Sequence, residues 1–186
     1  MTKISELHKW IYGLGSDNRI DCHELARIFS LVVTIFIAIV TINYRNKQHQ
    51  IKGLLDAFKI LNTREHRTSR RKVYELYIEY EKNKDVTIFN NVPEVVDVRA
   101  DFDVIGTLIK SRNIDEKLFL IEYGPLAYRC WKYLKKHVEA ERKKRNFNPF
   151  MKNFEDLAKK ADRFWSKKGY DLSKSLLYPP EQEDLN

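Results

Sequence analysis

The sequence predicts an all-α protein: a single N-terminal transmembrane helix followed by a cytoplasmic helical bundle of about five helices. Three observations carry that reading. Residues 28–44, IFSLVVTIFIAIVTINY, hold no charge, no Gly and no Pro. Beyond them, apolar residues recur at intervals of three and four nearly to the end of the chain, the period of one helix face. Only Val86-Thr87-Ile88-Phe89 reads as strand-like, and nothing obvious is there for it to pair with.

At about 1.5 Å per residue, the uncharged run spans roughly 25 Å, slightly under a hydrocarbon core of about 30 Å. Leu25 and Ala26 extend it, with Arg27 snorkelling to the headgroups, so the expected span is 25–45. A buried core helix is the competing reading. Such a helix normally keeps a polar face, whereas this run offers only Ser30, Thr34, Thr41 and Asn43. A cleaved signal peptide fits less well. Glu6, Asp17, Asp21 and Glu24 precede the run, and no small-x-small site follows it. Downstream lie Arg45, Lys47, Lys52, Lys59 and Arg64, against Lys9, Arg19 and Arg27 upstream. That bias places the C-terminal side in the cytoplasm, hence a single-pass protein of the inner membrane.

Residues 1–24 read as a short amphipathic segment, with Ile4, Leu7, His8 and Ile11 at helical spacing and Trp10 and Tyr12 beside them. The domain expected over 46–170 starts with Ile51, Leu54, Leu55, Phe58 and Leu61, a pattern able to continue the anchor as one helix despite Gly53. Asn62 and Glu65 then have the spacing of a capping box, which predicts a new helix from about residue 63 to 82. Residues 83–92 read as a loop. Pro93 opens a helix carrying Val95, Val98, Phe102, Ile105 and Ile109, and Ser111-Arg112-Asn113 turns it. Another helix opens at Ile114-Asp115-Glu116 and is kinked or broken by Gly124-Pro125. Leu126, Cys130, Tyr133, Leu134 and Val138 continue the pattern through the charges up to Arg145. Asn148-Pro149 predicts the last helix start, with Phe150, Phe154, Leu157, Ala158, Ala161 and Phe164 or Trp165 inward and a stop near Gly169. Residues 171–186 read as a mobile tail.

The chain has 186 residues, a formal charge of +8 and 43% hydrophobic residues, enough for a core beyond the anchor. Its basic surplus admits nucleic acid, anionic lipid or an acidic partner. No catalytic signature is present. His8, His23, His49, His66 and His137 are scattered, Cys22 and Cys130 have no metal or redox spacing, and no phosphate-cradling glycine loop exists. No metal or cofactor is therefore expected. The most specific polar feature is a pair of stripes. Arg64, Arg67 and Arg71, with Arg70 and Lys72 nearby, share offsets i, i+3, i+7 with Glu94, Asp97 and Asp101. Interhelical pairing of the two stripes is the favoured expectation, under which reversing Arg67 destabilises the domain. The alternative makes the arginines an anion patch.

This layout resembles a prokaryotic family of short membrane-anchored proteins, a domain of unknown function numbered 4760. The resemblance rests on Arg64-x-x-Arg67-x-x-Arg70-Arg71, Asp101-Phe102-Asp103-x-x-Gly106, Tyr128-x-x-Trp131 and Phe154-x-x-Leu157-Ala158. It covers roughly residues 28–165 and implies a helical cytoplasmic domain on one anchor, with no activity. It also implies that the acidic Phe-x-x-x-Gly segment is structural and that Gly106 allows close helix approach. Gly124-Pro125 before the Trp departs from the pattern.

The expected role is a membrane-anchored interaction module, an accessory subunit or scaffold without chemistry of its own. Its expected partners are the lipid bilayer and another membrane protein or a second copy. The alternative is a membrane-tethered regulator that binds nucleic acid or nucleotide through segment 64–72.

Overall fold

A computed structural model describes residues 22–175, and every regular element among them is helical. The elements are α1 (Cys22–Asn62), α2 (Arg64–Asn83), a 3₁₀ turn (Val86–Phe89), α3 (Pro93–Lys110), α4 (Glu116–Glu122), α5 (Gly124–Arg145), α6 (Lys152–Ser166) and the single turn α7 (Leu172–Ser175). The amphipathic segment expected over 1–24 lies almost wholly outside the described residues, as does the tail beyond 175. The chain divides into two compact units at Asn46 and Lys47.

In the first unit the described backbone is the N-terminal half of α1. Its large apolar side chains from Ile28 to Tyr44 are between 37% and 71% exposed. Among the described residues this is one helix long and apolar enough to cross a membrane.

The second unit is a bundle. Helix α2 packs on α3, α3 on α6, α6 on α5 and α5 back on α2, so four helices close a ring around the core. Phe89, Val98, Phe102, Ile105, Phe119, Leu134, Phe154 and Leu157 are almost wholly buried there. The C-terminal part of α1 contributes Leu54, Ala57 and Leu61. Gly53 lets that part of α1 meet the turn after α3, since a Cβ there would collide with the Asn113 carbonyl. Gln50 Nε2 donates to the Arg112 carbonyl at 3.2 Å in the same place.

Several expected boundaries shift by local chemistry. The cap of α2 is Thr63 rather than Asn62: Asn62 completes α1, and the Thr63 hydroxyl accepts from the His66 amide at 3.1 Å. The expected loop 83–92 contains the 3₁₀ turn, nucleated by Asp85, whose carboxylate accepts from the Thr87 amide and hydroxyl. It also buries Phe89. The break at Gly124-Pro125 is present, with α4 ending at Glu122 and α5 starting at Gly124. Asn148-Pro149 does not start a helix. It forms a turn in which the Lys152 amide donates to the Pro149 carbonyl, and α6 begins three residues later behind Met151 in the left-handed region (φ 54°). Residues expected at the head of the tail pack instead: Leu172 is buried, and Lys132 Nζ donates to the Ser173 carbonyl.

Candidate functional site

Helical phase decides which arginines of segment 64–72 meet the bundle. Arg64, Arg67 and Arg71 lie on the outer face of α2 and are exposed, whereas Arg70 shares the inner face with His66, Ser69 and Val73 and is buried. Arg70 Nη1 donates to the Leu61 carbonyl at 2.7 Å, which caps the C-terminal end of α1 with a cation. The acidic stripe does face α2 with one of its members. Asp101 accepts from His66 Nδ1 at 2.9 Å. Among the described residues no ion pair joins Arg64, Arg67, Arg70 or Arg71 to Glu94, Asp97 or Asp101. The expected contact between α2 and α3 thus forms through a histidine. Burial lowers the His66 pKa, the Arg70 charge lowers it further, and Asp101 opposes both.

The segment Asp101-Phe102-Asp103-x-x-Gly106 builds the joint between α3 and α6. Asp101 holds His66, and Phe102 stacks on Phe154 with ring centroids 5.1 Å apart. Asp103 Oδ1 accepts from the Phe154 amide at 3.0 Å. Met151 gives α6 no side-chain cap, so this carboxylate from another helix serves one of its free amides. Gly106 is needed for the approach itself: a Cβ there would lie 2.5 Å from the Asn153 carbonyl oxygen. Trp131 completes the joint edge-on to Phe154, at 5.2 Å. These contacts are packing and capping.

A second polar joint ties α5 to α6. Arg142 donates through Nε to the Phe150 carbonyl at 2.8 Å and through Nη1 to Glu155 at 3.0 Å. Burial pushes the Glu155 carboxyl up, but hydrogen bonds from Lys159, Arg142 and Lys152 outweigh it and hold the group at about 2. Cys130 is wholly enclosed beside Tyr74, and burial pushes its thiol up to about 11, away from nucleophilic chemistry.

Of the concave sites among the described residues, one is walled by a partly buried polar pair. It is a pocket of about 220 Å³ where the turn at Asn90 and Asn91, α3 and the C-terminal turns of α5 meet. Arg99 and His137 form its inner wall, and Lys144 and Arg145 line it with Glu141. Arg99 Nη1 lies 3.0 Å from His137 Nε2. Guanidinium has no acceptor, so Nε2 accepts and the ring proton sits on Nδ1. Burial first, and the Arg99 charge second, push the His137 pKa down to about 4, so the ring is neutral at physiological pH. His137 Nδ1 and Arg99 Nε are both buried without a hydrogen-bond partner. Glu141 is occupied by Arg145, which grips it through Nε and Nη2 at 2.9 Å each.

This pocket carries no signal in the linear sequence. Arg99 belongs to neither charged stripe, and His137 stands 38 residues away from it. Only the packing of α3 on α5 brings them together. Among the described residues no group of three His, Cys, Asp or Glu side chains is placed to hold a metal ion.

The model of one family, a domain of unknown function (DUF4760), matches residues 28–161, well over half of the chain. No curated protein and no solved structure matches it.

Proposed function

We propose that this chain, which belongs to the DUF4760 family, is a membrane-anchored helical interaction module. It acts as an accessory subunit or scaffold at the inner membrane face, with its bundle in the cytoplasm. The observation that carries the reading is the exposure of the whole apolar run 28–44 in a chain whose bundle closes its own core. A surface of that length and composition is untenable in water and needs lipid or a partner around it. The arrangements at His66, Asp103 and Arg142 support an interaction role, because their polar groups hold helices together and are not aimed at a substrate.

Purification of the full chain in mild detergent tests this. A stoichiometric second membrane protein, or a defined self-assembly by light scattering, is the expected result. A monomer with no companion at any expression level contradicts it. Orientation is read separately. With Cys22 replaced by Ser and Lys167 by Cys, an impermeant thiol reagent should label only broken cells.

A second reading is favoured by one observation. Arg64, Arg67 and Arg71 stand exposed together without acidic partners among the described residues. In this reading segment 64–72 binds nucleic acid or a nucleotide. Polyanion affinity that falls with salt, and whose slope drops by about one for each arginine removed, would favour it over the scaffold.

A further inference from the structure

We propose that the pocket bounded by Arg99, His137, Lys144 and the turn at Asn90 and Asn91 is a binding site for a phosphoryl group. The argument starts from the charge balance at its wall. Three cations, Arg99, Lys144 and Arg145, line it against one carboxylate, Glu141, which Arg145 grips at 2.9 Å and Lys144 approaches at 4.0 Å, so two positive charges remain in excess. Arg99 therefore has a neutral imidazole as its hydrogen-bond partner where a structural arginine normally has a carboxylate or carbonyl. Arg70 and Arg142 show the normal case in this same bundle, one on a backbone carbonyl and the other on Glu155 and a carbonyl.

Glu141 is the one carboxylate whose charge reaches this half-buried guanidinium, and Arg145 opposes it, so the charge on Arg99 is only partly compensated. An anion in the pocket completes the compensation. It meets Arg99, the Lys144 ammonium on the rim and the turn of Asn90 and Asn91. That set suits a ligand with several acceptor oxygens and a double negative charge. The ring of Phe150 holds Arg99 and Arg145 in place, with their guanidinium carbons 5.2 and 4.6 Å from its centroid. The site is thus preformed. His137, 3% exposed and with Nδ1 unpartnered, sits at its inner wall as a built-in reporter.

The phosphoryl group can belong to a dissolved phosphate or to a phosphomonoester lipid headgroup, and one experiment separates the two. The full chain is placed in phosphatidylcholine discs, and the His137 ring resonance, assigned with His137→Gln, is followed by NMR. Inorganic phosphate is added against chloride at matched ionic strength, which removes general screening. A parallel sample contains phosphatidic acid and no added phosphate. A saturable His137 shift with dissolved phosphate, at a dissociation constant near or below about 1 mM, assigns the site to a solute. A shift produced by phosphatidic acid alone assigns it to the headgroup.

Arg99→Met should weaken either response by about tenfold or more. Should that variant fail to fold, Lys144→Ser on the exposed rim should still weaken it by about threefold. A His137 resonance unmoved by both phosphate sources overturns the proposal. So does a response that survives Arg99→Met in a folded protein, or one that is lost with Arg67→Gln on the far outer face of α2.

Discussion

The N-terminal half of α1 and the bundle of residues 47–175 are built from the same apolar residues and place them oppositely. In the first, Phe29, Phe36 and their neighbours point outward along a helix with no polar face. In the second, Phe89, Phe102, Phe119 and Phe154 point inward, and the outer surface is charged. Hydrophobicity alone does not say which arrangement a segment takes. The polar residues between the apolar ones do. The bundle helices intersperse Lys, Arg, Glu and Asp among their apolar residues, which fixes one face to solvent. From residue 28 to 44 there are none, so no face is committed to water.

The largest effect that tests this contrast comes from truncating one phenylalanine in each region. Phe102→Ala removes a fully buried ring stacked on Phe154 and should cost the bundle about 3–5 kcal/mol in denaturant unfolding. Phe36→Ala should leave the same transition within about 0.5 kcal/mol. An equal loss at Phe36 would mean that the run is packed against protein, and the contrast would fail.

A smaller effect, confined to the bundle, comes from pH. The unfolded His137 imidazole takes a proton near 6.5, whereas burial and Arg99 delay protonation of the folded one to about 4. Between those values the unfolded state binds more protons, so stability is full above about 6.5 and falls as pH drops through the window. The loss approaches about 3 kcal/mol for an ideal isolated group. Glu141 beside the ring reduces it, and Arg145 adds to it. Unfolding midpoints at several pH values should show the decline in the native protein and a flatter profile in His137→Gln. Identical profiles would remove His137 as the cause.

The smallest effect concerns the outer face of α2. Arg67 is exposed with no acidic partner among the described residues, so Arg67→Glu should change stability by no more than about 0.5 kcal/mol. A loss of several times that size would restore the interhelical pairing expected from the stripe spacing.

That spacing shows where sequence reading reaches its limit. Periodicity recovers the helices because a face repeats locally, and Gly124-Pro125 and Pro93 mark boundaries through backbone chemistry that needs no partner. The partner of a charge is a long-range fact. Asp101 faces α2, but helical phase turns Arg67 outward and His66 inward, and the pair that forms is His66–Asp101. Asn148-Pro149 reads as a cap, yet α6 takes its cap from Asp103, far away in sequence, and starts later. Arg99 and His137 leave no trace in the linear pattern for the same reason: only the packing of α3 against α5 makes them neighbours.

The claim on which the functional reading stands is that residues 28–44 lie in lipid. Alkaline carbonate extraction of membranes carrying the full chain measures this most directly, with detergent solubilisation as the control. Retention of the intact chain in the membrane pellet, and its release only by detergent, is the predicted result. Recovery of the intact, folded chain in the carbonate supernatant would contradict it.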